Sequence, residues 1–253
     1  MPSPDPAGIT QFVEANIGEF HGKRLAKLGA LKLGEVLKRK NPYLFRAKNL
    51  STPETFVRAI LDAYLSSQEE TVFGEFLEKL AIHVCTQEHQ GWKSGIPGID
   101  LEMDRDGRRY IISIKSGPNW GNSEQIKKLR SSFKTAAVTL RTSNSKLNIR
   151  AINGCCYGRD NKPDKGDYEK LCGQKFWEFI SGEPDFYMHV IEPLGHQAKK
   201  RNDDFAEKYD QVLTLFSQEF AAEYCVTGKI DWRKIVALGS SAVAPKTPKH
   251  AKA

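Results

Sequence analysis

Apolar residues recur at mixed three- and four-residue spacings from Ile9 to Lys40, at Phe12, Ile17, Phe20, Leu25, Leu28, Leu31, Leu33 and Leu37. This is the pattern of a helix with one buried face. Asn41-Pro42 interrupts it, because the residue before a proline is steered away from helical geometry. A second helix is predicted from Ser51-Thr52-Pro53-Glu54 to about Ser67. Ser51 with Glu54 can form a capping box there, or Thr52 can cap with Pro53 at the first helical position. A third helix follows over Glu69 to Gln87, with Val72, Phe73, Phe76, Leu77, Leu80 and Val84 as its apolar stripe.

After Gln87 the period changes from 3.6 to 2. Gly98–Asp104 and Arg109–Lys115 read as short strands, joined by Asp106-Gly107 as a tight hairpin turn. A helix over about Ser123–Leu140, a strand over Leu147–Tyr157, a helix over Tyr168–Ile180, a strand over Phe186–Ile191 and a last helix from Asp203 to about Tyr224 complete the order. The last helix carries Phe205, Tyr209, Val212, Leu215, Phe216 and Phe220 on one face. This order predicts an α/β (α+β) protein, a central mixed sheet flanked by helices, with an all-helical N-terminal region.

Composition adds a partner class. Forty per cent hydrophobic and 27% charged residues suit a soluble globular chain. The 38 Lys and Arg exceed the 31 Asp and Glu, for a formal charge of +7. Such a balance favours a polyanion, since each neutralised phosphate releases condensed counterions. No basic n-region followed by an apolar run opens the chain, and no apolar stretch approaches the length of a spanning helix. The five cysteines lack disulfide-framework spacing, so a cytoplasmic location is expected. Residues 1–8, with three prolines, and the basic tail 241–253 are expected to be disordered. Residues 9–68 are expected to form a helical dimerisation region and 69–240 the catalytic domain.

The hairpin concentrates the chemistry. Alternation sets Ile99, Leu101 and Met103 on one face and Asp100, Glu102 and Asp104 on the other. In the second strand Ile112 and Ile114 face the core, so Ser113 and Lys115 share the opposite side. Asp100 and Lys115 then meet at the end of the hairpin away from its turn. A carboxylate there can hold a hard divalent cation, and a lysine beside it can orient and activate an attacking water.

Pro97-Gly98-Ile99-Asp100 with Ser113-Ile114-Lys115 resembles the PD-(D/E)XK nuclease signature. The longer strings are more specific: Ser113 through Asn122 (SIKSGPNWGN), Asn41-Pro42-Tyr43-Leu44-Phe45, Gly154-Cys155-Cys156-Tyr157-Gly158, and Leu171 through Phe179 (LCGQKFWEF). Together they resemble type II restriction endonucleases of the PmeII/EcoO type, over about Phe12 to Val236. The resemblance implies a restriction-endonuclease-like fold and Mg2+-dependent cutting of both strands of duplex DNA, with Mn2+ as a possible substitute. It also implies sites with GG and CC flanking a short centre, 5′-phosphate ends, a homodimer and a cognate DNA methyltransferase in the cell.

Ser113 stands where that signature carries Glu or Asp, and a hydroxyl is a poor ligand for a hard cation. The second metal-binding carboxylate is therefore sought elsewhere. Glu102 shares the strand face of Asp100. Related nucleases also place a metal-binding glutamate on the preceding helix, where Glu78, four residues after Gly74, fits best and Glu75 sits beside it at i−3. Ser113 itself can hydrogen-bond a metal-bound water or serve as a small spacer.

The segment leaving Lys115 supplies candidate DNA contacts: Ser116, Asn119, Trp120, Asn122, Ser123, Lys127 and Lys128. Its Asn and Ser side chains can donate to phosphates, and the next helix's N-terminus favours an anion. Trp120 can touch DNA sugar or anchor its loop to the core. Lys199-Lys200-Arg201 reads as a solvated charge run, with a phosphate contact as the alternative. His83 and Cys85 point to different faces of a helix, so with His89 they read as packing residues, as do Cys155, Cys156, Cys172 and Cys225. The alternatives are a structure-specific repair nuclease or junction resolvase on the same fold, a DNA-binding protein whose catalysis has decayed, and a zinc-stabilised interaction protein.

Overall fold

The computed structural model describes residues 6–242. The tail expectation falls almost wholly outside those residues, as does most of the expectation for residues 1–8, of which Pro6, Ala7 and Gly8 open the first helix. In chain order the elements are α1 (Pro6–Gly29), α2 (Leu33–Arg39), α3 (Pro42–Ala47), α4 (Pro53–His89), β1 (Trp92–Lys93), β2 (Leu101–Arg105), β3 (Arg108–Lys115), α5 (Ser123–Ser143), β4 (Ile149–Cys155) and β5 (Glu169–Cys172). They continue with α6 (Gln174–Ser181), α7 (Phe186–His189), α8 (Ile191–Leu194), α9 (Ala198–Tyr224), β6 (Cys225–Val226), β7 (Lys229–Ile230) and α10 (Trp232–Ser240).

The chain forms two compact units. Unit 1 comprises the chain up to Phe20 together with Phe73–Ala198; unit 2 comprises His21–Val72 together with the chain from Lys199 onward. Unit 1 holds a five-stranded mixed sheet in the order β1-β2-β3-β4-β5. Pairs β1–β2 and β2–β3 are antiparallel, while β3–β4 and β4–β5 are parallel. One sheet face, with Leu101, Met103, Tyr110, Ile112, Ile114 and Ile152, packs on Ile9, Val13, Ile17, the Phe76–Cys85 stretch of α4, and Phe176, Trp177 and Ile180 of α6. The other, with Ile99 and Ile111, packs on Leu129, Phe133 and Ala136 of α5. This is the mixed sheet flanked by helices that the order predicts, and it is consistent with a restriction-endonuclease-like fold. Unit 2 is helical around its own core, with a small β6–β7 pair.

The hairpin turn has the geometry its residues allow. Asp106 and Gly107 both take positive φ, 52° and 69°, and Arg105 pairs with Arg108. Two positive φ angles are the type I′ requirement, whose twist matches the flanking strands. The start of α4 follows the second capping alternative: Thr52 Oγ1 accepts from Thr55 N at 3.3 Å, with Pro53 as the first helical residue.

Five expectations need correction. The second and third helices are one, the 37-residue α4. The Ser66-Ser67 step does not break it: within the continuous helix Ser67 Oγ donates to Ala63 O at 3.1 Å and Thr71 Oγ1 to Ser67 O at 3.0 Å. The first helical stretch is two, interrupted after Gly29. Asn41-Pro42 starts a helix as well as ending one, since Asn41 Oδ1 accepts from Tyr43 N with Pro42 at the first position. The Tyr168–Ile180 helix is strand β5, then Gly173 at positive φ, then α6. The Phe186–Ile191 strand is a pair of short helical turns, because Phe186 and Val190, one turn apart, both enter the unit 1 core.

Candidate active site

Asp100 lies just before β2, where its N–H donates to Ile112 O at 2.9 Å. The face assignment differs here from simple alternation: Ile99 joins the α5-side cluster, while Leu101 and Met103 join the other. The Asp100 carboxylate is fixed from the β3 side. Its Oδ2 accepts from Ile114 N at 2.6 Å and from Ser113 Oγ at 3.2 Å, and lies 3.8 Å from Lys115 Nζ. Asp100 and Lys115 thus meet at the open end of the hairpin. Lys115 Nζ also donates to Ile114 O at 2.8 Å and stands 5.6 Å from the centre of the Trp120 ring. Ser113 is 2% exposed, so its hydroxyl orients Asp100 from inside the sheet.

Glu78 reaches the same end from α4. Burial pushes its carboxyl above the usual range, and the nearby Asp100 charge pushes it further, against the opposing pull of Lys93 and Lys115. Glu75 is exposed and adds a smaller push in the same direction. The Cys156 thiol lies close by and is raised to about 12, first by burial and then by Glu78.

Glu102 has a different setting. Its side chain is buried, accepts from Ser94 Oγ at 2.8 Å and pairs with Arg109 at 3.3 Å. Arg109 also forks onto both Asp104 oxygens at 2.5 and 2.7 Å. Glu102 and Asp104 therefore belong to an arginine-held cluster along the hairpin, with both Glu102 oxygens engaged.

The loop after Lys115 is interlocked with the one after β4. A Cβ on Gly117 would come within 2.3 Å of the Tyr157 ring, and one on Gly158 within 2.5 Å of Pro118. Only bare backbone allows this approach. Ser116 is half-buried and Asn119 exposed. Asn122 and Gln125 form a reciprocal capping box, so the Asn122 carbonyl is committed to the Gln125 N–H. Ser123 and Lys128 are exposed, and Lys127 pairs with Glu124 at 3.0 Å. The Trp120 indole N–H donates to Asn153 Oδ1 at 3.1 Å, and its ring packs against the α5-side cluster.

Sequence reasoning passed over Lys93, Asn153 and Lys170. Lys170 Nζ donates to Pro118 O at 2.8 Å and lies 3.5 Å from Asp160. An Asn amid the apolar β4 residues was the one available signal for such a role. His83 stacks on Phe12, Cys85 packs on Met103, and His89 lies 3.4 Å from Arg105. Lys199 pairs with Asp203 at 2.9 Å.

Among the described residues no group of three or more His, Cys, Asp or Glu side chains is arranged to hold a metal. The donors at the hairpin end still suit a magnesium ion, which needs only one or two carboxylates and keeps several waters. Asp100, Glu78 and the Ile114 carbonyl are hard oxygen donors, and the three Asp100 contacts all use Oδ2. A cation would also relieve the crowding of negative charge on Glu78.

Glu78→Gln is expected to melt above wild type in EDTA at neutral pH. The folded carboxyl holds its proton to higher pH than the unfolded one, so stability falls as pH rises through that window. The substitution removes that loss. Thermal scans from mildly acidic to neutral pH check it, and an unchanged melting temperature would show Glu78 unstrained.

No helix among the described residues is long and apolar enough to cross a membrane. No curated protein matches the sequence. The family model described as "Type II restriction endonuclease EcoO109I" matches residues 7–202, which take in the whole hairpin and both interlocked loops. The chain belongs to that family of type II restriction endonucleases, site-specific deoxyribonucleases.

Proposed function

We propose that this endonuclease hydrolyses duplex DNA with magnesium at the open end of the β2–β3 hairpin, using a PD-(D/E)XK-type site. The observation that carries the reading is Asp100 held beside Lys115, with Glu78 close enough to feel its charge. In this reading Asp100, Glu78 and the Ile114 carbonyl are the residues that hold the ion, with manganese as a substitute. The ion would supply charge neutralisation at the phosphate and a more acidic bound water. Ser113 orients Asp100 and leaves cation binding to others. Lys115 orients the attacking water with its ammonium; in-line attack forms the new P–O bond as the P–O3′ bond breaks, leaving a 5′-phosphate and a 3′-hydroxyl that takes up the water's proton. The exposed Asn119, Ser123, Lys127 and Lys128, with Ser116, meet the backbone phosphates. By likeness to its family the target is a pseudo-palindromic site of GG…CC type.

Cutting both strands of such a site suits a homodimer, whose two-fold axis matches that of the DNA. Unit 2 is proposed as the pairing surface, where Tyr43, Leu44 and Leu215 are exposed. Mass measured in solution should be twice that of one chain; a monomer bound to a whole site would refute this. The cellular setting proposed is the cytoplasm, beside a methyltransferase that protects host sites.

Digestion of a long unmethylated viral DNA tests the reading. Discrete fragments are expected with magnesium or manganese and none in EDTA. Cutting confined to branched DNA would favour a junction-type nuclease, and binding without hydrolysis would mark a decayed site.

A further inference from the structure

We propose that Trp120, held by Asn153, is a positioning residue for Lys115. The inference rests on the active-site reading above and extends it to two residues outside the signature. Asn153 is 0% exposed and sits opposite Ser113 in the β3–β4 ladder. A fully buried amide between Ile152 and Gly154 costs stability unless both of its ends are bonded. Both are: Nδ2 donates to Ser113 O at 3.2 Å, and Oδ1 accepts from Trp120 Nε1 at 3.1 Å. One side chain thereby ties the strand that ends in Lys115 to the loop that follows it.

The consequence falls on the ammonium. A lysine has a long flexible stem, and its side chain here is 31% exposed. Three groups define where Nζ rests: the Ile114 carbonyl at 2.8 Å, Asp100 Oδ2 at 3.8 Å, and the Trp120 ring, its centre 5.6 Å away. The first two lie on the hairpin that carries the lysine. The ring comes from the loop, and its π face attracts a cation without competing for its hydrogens. Those N–H groups stay available for water. Because the indole N–H is committed to Asn153, its bond there fixes the ring independently of DNA.

An aromatic ladder separates positioning from mere packing or DNA contact. Trp120→Leu is expected to lower the single-turnover cleavage rate by about 10–100-fold, the scale of a small misplacement of a reacting group. Its DNA Kd in calcium should change by less than about threefold, as for an interaction used only in the reaction. Trp120→Phe keeps the ring face but loses the bond to Asn153, so its rate should fall between those of wild type and Trp120→Leu. Leu and Phe variants should melt alike, and Trp120→Met replaces Leu should Leu fail to fold. Asn153→Ala should slow cleavage too, and combined with Trp120→Leu should add less than its separate effect, because the two act through one contact. Equal rates for Leu and Phe would overturn the proposal, as would a loss confined to Kd. Wild type beside Lys115→Ala isolates the underlying reading: if that variant still cuts, the reading fails before the ladder begins. If it is dead while the ladder is flat, only this inference fails.

Discussion

Lys115→Ala is expected to slow single-turnover cleavage of a cognate duplex by roughly 10²–10³-fold, the range for losing a donor aimed at the reacting centre. DNA affinity in calcium should stay close to wild type, because a loss confined to the rate marks an interaction made only in the transition state. The geometry gives the reason. Nζ is held by the Ile114 carbonyl and paired with Asp100, and among the described residues no other cation is paired with that carboxylate. Lys93, whose charge also acts on Glu78, lies on β1 opposite Leu101. Lys115→Arg should not rescue, since a planar guanidinium places its charge and donors differently. A Lys115→Ala protein that cut normally would move the reacting centre away from the hairpin.

Phe56→Ala is expected to lower the unfolding free energy by about 3–5 kcal/mol, the usual cost of emptying a buried phenyl site. Phe56 is 0% exposed and stacks on Phe220 at 4.7 Å, with Trp232 edge-on at 5.5 Å and Phe45 at 5.9 Å. The loss thus joins residues from α3, α4, α9 and α10 in one cavity. Urea unfolding checks it, through a lower midpoint at unchanged slope. Below the transition, the cleavage rate per folded molecule should hold, because Asp100, Lys115 and Glu78 all belong to unit 1. A cost under about 1 kcal/mol would show that the site collapses around the missing ring.

What the sequence made legible was local. Asp106-Gly107 dictates its turn, that turn fixes the register, and the register brings Asp100 to Lys115. Thr52-Pro53 likewise announces the start of α4. The failures share a cause, which is that tertiary packing decides short or ambiguous runs. Phe186–Ile191 reads equally as strand or helix until Phe186 and Val190 find the same core. The helical spacing of Phe176, Trp177 and Ile180 extends plausibly back to Leu171, but the positive φ at Gly173 divides strand from helix. Within the site, the Asp100 and Lys115 positions follow from one hairpin, so one sequence suffices to read them. Asn153 and Trp120 are 33 residues apart, and nothing in either residue alone reveals the bond between them. The Glu102–Arg109 pair was hidden likewise, because alternation shows a shared face but not which side chains close on each other.

The division of unit 2 between two distant stretches has a consequence for synthesis. Leu28, Leu33, Phe45 and Phe56 leave the ribosome well before Phe205, Phe216, Phe220, Tyr224 and Ile235, with which they share one core. At ordinary elongation rates that interval lasts on the order of ten seconds, ample for chaperone capture or self-association of the uncovered helices. The polypeptide of unit 1 is complete before unit 2 can close. A chain interrupted before α9 would therefore carry the Asp100–Lys115 hairpin without a finished second unit, and the subunit pairing proposed for that unit would wait for α9 and α10.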